Sequence, residues 1–327
     1  MTTTAAPGGP SNRTGPLAGS SLSRQDPAAS IARRRGRYGE KVAYGLLAGS
    51  AILTVAVTIG IFLSLLFPAI DFFREISMGA FLTGTRWAPT FSDPSFGVLP
   101  LITGTLWTTA IGLSIAVPFG LGAAVYLSEY AGERTRKILK PILEVLAGIP
   151  SVVYGYFALY FVAPELLRGL LGIDVGTFSV LAAGLVLGVM IIPTVASLSE
   201  DAMSAVPQSL RQGSYALGSN KMRTVLRVVF PAAISGITAS IVLGLSRGVG
   251  ETMIVALAAG TRAQVVASPT EEGQTMTGFI AQTATGEGSP GTLGYNTLFA
   301  VGLLLFVLTL VFNLIAASIV RRVREAY

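Results

Sequence analysis

Two ionisable residues stand where ionisable residues are costly. Arg247 and Glu251 lie in the run Leu-Gly-Leu-Ser-Arg-Gly-Val-Gly-Glu-Thr-Met, residues 243–253, inside a long apolar stretch. On insertion scales each such charge costs about 2.5–3.5 kcal/mol at mid-span, so charges kept there mark ion or substrate pathways by default. Arg247 lies 16 residues beyond Pro231, roughly 24 Å of helical rise. Four residues apart on one helix, Arg247 and Glu251 are expected to share a face and to pair. A guanidinium offers a planar fork of donors that matches a tetrahedral oxyanion, and a partnered guanidinium would hold such an anion only transiently. Ser246 and Thr252, beside the pair, add hydroxyls, so Arg247, Glu251, Thr252 and Ser246 are the candidate pathway residues. An ion pair that merely fixes helix register is the structural alternative. Small residues recur every fourth position at Ser240, Gly244, Gly248, Thr252, Ala256 and Gly260, a ridge on which another helix can approach closely.

A second segment with fixed offsets precedes this one. Pro207 suits a first helical turn and Gly218 a helix C-terminus. Ser219 or Asn220 can then cap a second helix, in which Met222, Val225, Leu226 and Val229 fall on one face. Residues 199–231 are thus predicted to form a helix–turn–helix at a membrane surface, and an ordinary amphipathic interfacial helix is the simpler alternative.

The elements that must position these segments are membrane spans. Half of the 327 residues are hydrophobic and 12% are charged, against about a quarter charged in soluble domains. The mean hydropathy is +0.66. Six apolar runs approach the ~20 residues that a bilayer requires: 42–67, 101–127, 140–163, 178–198, 233–259 and 296–319. The predicted fold is an all-α integral membrane protein. Glu144, Gly148 and Pro150 interrupt the third run. Glu144 fits the inner interface, while Gly148 and Pro150 mark a kink or break that could serve as a gate.

With the N-terminus inside, 18 of the 23 Lys and Arg residues fall in cytoplasmic segments, four fall in outer loops and Arg247 lies within a span. This bias places both termini in the cytoplasm. Residues 1–40 are rich in Thr, Ser, Gly, Pro and Ala and are predicted to be a disordered cytoplasmic tail ending in a cluster that includes Arg33, Arg34, Arg35, Arg37 and Lys41. The net charge of +6 is spread over span ends rather than gathered in one patch, which argues against nucleic acid as a partner. Cysteine and histidine are absent, which excludes disulfides, Cys or His metal sites and His-based nucleophilic catalysis. There is no Gly-x4-Gly-Lys-Ser/Thr loop, so ATP hydrolysis by that route is excluded, and no cofactor or metal is expected.

The helix–turn–helix resembles the "EAA" loop of ABC importer permeases: Glu-Ala-Ala, three residues, Gly, nine residues, an aliphatic residue, one residue, Leu-Pro. Gln212-Gly213-Ser214 stands at the triplet, Gly218 at the Gly, Val228 at the aliphatic position and Phe230-Pro231 at Leu-Pro. The triplet departs from Glu-Ala-Ala while the spacing fits throughout. The resemblance implies that Gln212, Gly213, Ser214, Ala216, Leu217, Gly218, Val228 and Pro231 form a rigid coupling loop for a separate ATPase subunit. Arg247-Gly-Val-Gly-Glu251-Thr is similar to the Arg-Ala-x-Gly-Glu-Thr segment of PstC-type phosphate permeases. Further similar segments are Trp87-Ala-Pro89 with Phe96-Gly-Val-Leu-Pro100, Ala124 to Tyr130, and Leu143 to Gly155. The likeness covers about residues 40–327. It implies a type I ABC importer permease-like bundle of six transmembrane helices in a bacterial inner membrane. Its implied partners are a second, PstA-like permease subunit, two copies of an ATP-binding subunit and an extracytoplasmic phosphate-binding protein, with inorganic phosphate as substrate. Sulfate or molybdate permeases share the loop pattern, and an ion-coupled secondary transporter with Glu251 as proton site is a different class of reading.

Overall fold

The computed structural model describes residues 37–286 and 291–323, the side chains from 39 to 318. The predicted tail, apart from its last residues, lies outside them, and so do Arg33, Arg34 and Arg35. The chain divides into two units, Met1–Ile59 and Gly60–Tyr327. What is described of the first is the opening part of helix α1, Arg37–Glu75. Almost every side chain from Gly39 to Ile59 is exposed, with Val42, Leu46, Leu47, Ile52 and Leu53 among them. Apolar side chains exposed all round this part of the helix suit a lipid surface.

In the second unit the last part of α1 leads into a short helix, α2 (Met78–Thr83), and a two-stranded hairpin, β1 (Trp87–Ala88) with β2 (Ser95–Phe96). The strands pair antiparallel in the register Trp87 to Phe96 and Ala88 to Ser95. Gly84 and Gly97 lie backbone to backbone behind the hairpin, where a Cβ on either would strike the other. Edge-to-face rings close this end of the bundle. Phe72 contacts Phe81 at 5.6 Å and Phe96 at 5.5 Å, and Trp87 contacts Phe279 at 4.9 Å.

Helix α3 (Leu99–Val125) opens with Pro100 in its first turn, where no intrahelical N–H is needed, and continues as a π-turn through Tyr126–Tyr130. Helix α6 (Val180–Ser204), capped by the Ser179 hydroxyl, packs along α3 through small residues. Added Cβ atoms would meet Leu187 at Gly112, Val195 at Gly120, and Ile111 at Gly184. Two backbones this close gain dispersion contacts that bulkier residues would forbid.

Between α3 and α6 runs a broken element, α4 (Glu133–Gly148) and α5 (Ser151–Phe157), the latter extended as a π-helix through Ala158–Leu170. The two halves bend by 86°. The third predicted run, 140–163, is thus broken at the residues expected to mark a kink, and its two halves are far from collinear. Pro150 has no N–H to continue the ladder, and it sits as the N-cap of α5. The α4 half is amphipathic and buries no residue. Glu144 is exposed on it.

After a helical turn at α7 (Gln208–Ala216), α8 (Lys221–Thr224) and a π-turn (Val225–Val229) run straight into α9 (Phe230–Val249). Short α10 (Met253–Ala258), α11 (Met276–Thr285) and long α12 (Leu293–Val323) complete the chain. The fifth predicted run, 233–259, is therefore also interrupted, at Gly250–Thr252. Among the described residues five helices are long and apolar enough to cross a membrane, and six spans result if the bent pair is one.

Candidate translocation site and coupling loop

Arg247 closes the last turn of α9 and is half-buried. Its Nη1 donates to Thr194 Oγ1 on α6 at 3.0 Å, one residue past Pro193 inside that helix. The contact follows from the small ridge. Ser240 meets Ser199 hydroxyl to hydroxyl at 2.7 Å, and Cβ atoms added at Gly244 and Gly248 would touch Ile191. The predicted close approach thus holds from Ser240 to Gly248, and it lays α9 against α6 with Arg247 beside Thr194. Beyond Gly248 the helix breaks and the ridge ends.

The expected Arg247–Glu251 pair does not form. No ion pair or hydrogen bond joins them among the described residues. The helix stops at Val249, with Gly250 N–H bonded back to Ser246 O at 3.2 Å. The four-residue spacing therefore loses its helical geometry. Glu251 instead turns to the start of α10, where its Oε1 accepts from Met253 N at 3.1 Å and Ile254 N at 3.3 Å. Those N–H groups open a helix and lack intrahelical acceptors. A carboxylate there also meets the positive end of the helix dipole. The Glu251 carbonyl accepts from Thr277 Oγ1 at 2.6 Å, which fixes the break against α11.

The other candidates separate as well. Ser246 donates to Asn313 Oδ1 on α12 at 2.9 Å, and Thr252 Oγ1 donates to the Gly250 carbonyl at 3.2 Å. Among the described residues Arg247 is thus left with one neutral acceptor, Thr194. A guanidinium has five N–H donors, so most of this one's donors are unused among the described residues. Thr194 belongs to the site and was missed, because 53 residues separate it from Arg247 and a threonine in an apolar helix carries no signal of its own.

The helix–turn–helix forms as predicted. Helix α7 ends at Ala216, Gly218 takes φ +77°, and Asn220, not Ser219, caps α8 by accepting from Arg223 N at 2.8 Å. Ser214 and Thr224 hydroxyls join the two arms at 2.9 Å. Gln212, Gly213, Ala216 and Gly218 are exposed, and Leu217 is 89% exposed. An added Cβ at Gly213 or Gly218 would meet nothing. Val228 is half-buried and Pro231 is exposed in the first turn of α9. Val225 and Val229 are buried, but Met222 and Leu226, expected on the same apolar face, are exposed. At the other break, Gly148 ends α4 in open space and Tyr154 OH donates across Pro150 to Leu146 O at 2.9 Å.

Two ionic joints brace this region, the first buried on both sides and the second with partly exposed cations. Arg211 on α7 donates to Glu129 Oε1 from Nη2 at 2.9 Å and from Nε at 3.2 Å, with both side chains over 90% buried. It also donates to the carbonyls of Met203, at 2.7 Å, and Val206. Glu200, buried on α6, binds Arg136 and Lys140 of α4, the latter at 2.8 Å, and accepts from Ser204 Oγ at 3.0 Å. From sequence these cations counted only toward topology. Their partners lie 60 to 82 residues away, and no local pattern announces them.

Long apolar helices, one bent pair and an exposed, ionically braced helix–turn–helix define a membrane-embedded importer permease. The chain belongs to the family of binding-protein-dependent transport system inner membrane components, whose pattern matches residues 116–325. It is 37% identical over 273 residues to the probable ABC transporter permease protein YqgH of Bacillus subtilis, covering 83% of this chain and 87% of that one. It is 37% identical over 278 residues to the phosphate transport system permease protein PstC 1 of Mycobacterium tuberculosis, covering 74% and 82%. The fold resembles a crystal structure of a bacterial ABC transporter involved in the import of the acidic polysaccharide alginate, with TM-score 0.60, 17% identity and coverage of 89% and 100%. It also resembles the inward-facing MetNI methionine ABC transporter, with TM-score 0.51, 23% identity and coverage of 70% and 95%. The chain is a multi-pass inner-membrane permease component of an ABC importer.

Proposed function

We propose that this permease carries inorganic phosphate, and that Arg247 is the residue on which the anion pauses as it crosses. The observation that carries the reading is the guanidinium at the end of α9, held by the Thr194 hydroxyl at 3.0 Å and by no carboxylate among the described residues. A half-buried cation without a counter-ion keeps its full attraction for an oxyanion. A single neutral contact positions it without satisfying it. Glu251, with Thr252 beside it, holds the break after α9 that presents Arg247, rather than neutralising it. The likeness to PstC-type proteins supports phosphate as the oxyanion.

In this reading the chain works with a second, PstA-like permease, two copies of an ATP-binding subunit and an extracytoplasmic phosphate-binding protein. Both termini lie in the cytoplasm, as does α7. The exposed face of α7, with Leu217 at its tip, docks on the ATPase. The π-turn at Val225–Val229 passes its movement into α9 without a flexible joint, and Arg247 is at the far end of α9. Gly148 and Pro150 act as the hinge of the bent pair.

The test is uptake of labelled phosphate, sulfate and molybdate by a strain lacking the gene, with and without the gene restored. Loss and recovery confined to phosphate is the expected outcome. A defect confined to sulfate or molybdate reassigns the substrate. Uptake that an uncoupler abolishes at constant ATP contradicts the ATP-driven mechanism.

A further inference from the structure

We infer that the chain carries a second oxyanion site, a receiving cavity at the end of the bundle opposite the coupling loop. The inference rests on the oxyanion-import reading above. Helix α3 spans 27 residues, about 40 Å, with Tyr126–Tyr130 of the loop joint at one end and the hairpin at the other. At the hairpin end a cavity of about 580 Å³ opens between β1, the segment Thr261–Ala263 and α11. Arg86, Arg262, Gln274 and Gln282 line it, with the rings of Trp87 and Phe279 as its apolar wall.

Basic residues are scarce on this side. Of four Lys and Arg residues in the outer loops, two meet at this cavity. No carboxylate lines it among the described residues. Arg86 is shared with Asp93 at 2.9 Å, both exposed. The Arg262 guanidinium has no hydrogen-bond or ionic partner among the described residues, while its backbone is held on every side. Its N–H and that of Thr261 donate to Glu272 Oε1 at 3.1 and 3.0 Å, and its carbonyl accepts from Gln264 N and Gln274 N, both at 3.1 Å. Gly260, at φ +109°, packs against Glu272, so a side chain there would displace the carboxylate that anchors the turn. A turn held this firmly fixes where the exposed Arg262 side chain leaves the backbone, and its unpaired cation then stands at the cavity as a contact for an anion.

Two further groups point the same way. Gln274 is buried and donates to Gln282 Oε1 at 2.7 Å, which leaves amide donors at the wall. The Trp87 indole N–H is buried with no acceptor among the described residues, a donor that native structures rarely leave orphaned. The ligand class is a small tetrahedral oxyanion, inorganic phosphate in the transport reading.

The test uses the wild-type full-length chain in nanodiscs of zwitterionic lipid. Arginines are modified with phenylglyoxal, and the modified positions are read by peptide mass spectrometry. Inorganic phosphate is expected to slow modification of Arg262 several-fold relative to chloride at matched ionic strength, with exposed Arg223 unaffected. The same protection is expected in the Arg247→Gln chain, which separates this cavity from the site in the membrane. Equal rates in phosphate and chloride overturn the inference. So does protection that vanishes in Arg247→Gln, or that follows added phosphatidylglycerol rather than inorganic phosphate. As a second measurement, Trp107→Phe leaves Trp87 as the only indole. Phosphate is then expected to change its emission, and Arg262→Gln to remove that change. A response that survives Arg262→Gln contradicts the assignment.

Discussion

At the scale of single residues, the proposed function turns on which charges are compensated. Arg211 and Glu200 are buried and fully engaged, whereas Arg247 has one neutral contact. The difference gives opposite expectations for substitution. A carboxylate placed beside Arg247 should occupy it, so Thr194→Asp is expected to cut oxyanion uptake by tenfold or more while leaving the amount of protein in the membrane unchanged. Thr194→Val removes only one hydrogen bond to a charged group, about 1.5–3 kcal/mol of positioning at most, and should retain measurable uptake. Initial uptake rates normalised to membrane protein level check both, and equal rates for the two variants would contradict the compensation argument. Glu251→Gln keeps the acceptor that caps α10 and should be milder than Glu251→Ala, which leaves the Met253 and Ile254 N–H groups unsatisfied.

At the scale of elements, the breaks and joints matter more than the spans. The Arg211–Glu129 pair welds α7 to the end of α3. Removing one partner strands a buried charge, a loss of about 3–5 kcal/mol, while replacing both by apolar residues can be nearly neutral. Arg211→Met alone should therefore lower the thermal midpoint in detergent sharply, and Arg211→Met with Glu129→Leu should recover most of it. Additive losses would show that the two residues do not act as a pair. Gly218→Val forces a β-branched residue to φ +77°. It is expected to detach the turn and lower uptake, whereas Leu217→Asp changes only an exposed tip and should lower uptake with the midpoint unmoved.

These elements also show what the sequence made legible. The apolar runs, the Pro207 to Pro231 pattern and the break at Pro150 express local rules of hydrophobicity, capping and missing N–H groups; the pattern and that break are found where those rules place them, while the fifth run is also interrupted, at Gly250–Thr252. The Arg247–Glu251 pairing failed because it assumed a helix continuing through Gly248-Val249-Gly250. Local spacing cannot weigh two glycines against a carboxylate able to cap the next helix. Thr194, Glu129 and Glu200 were invisible for another reason. Their roles depend on contacts 53 to 82 residues away, and such contacts exist only once α3, α6 and α9 have packed.

At the scale of the whole molecule, one rigid path links the two ends. The exposed turn at Leu217, the π-turn at Val225–Val229 and α9 form a nearly unbroken element that carries Arg247 at its far end. In the proposed reading a movement of the turn at Leu217 would reach Arg247 through α9, while the Glu200–Lys140 joint holds α6 to α4 and the Arg211–Glu129 pair holds α7 to the end of α3. The central claim, that an uncompensated guanidinium carries the anion, is tested most directly by labelled phosphate uptake with Arg247→Gln in place of the wild-type chain, at equal membrane level and assembly. Uptake is expected to fall to that of the strain lacking the gene, with Arg247→Lys between the two. Wild-type uptake by Arg247→Gln would contradict that claim.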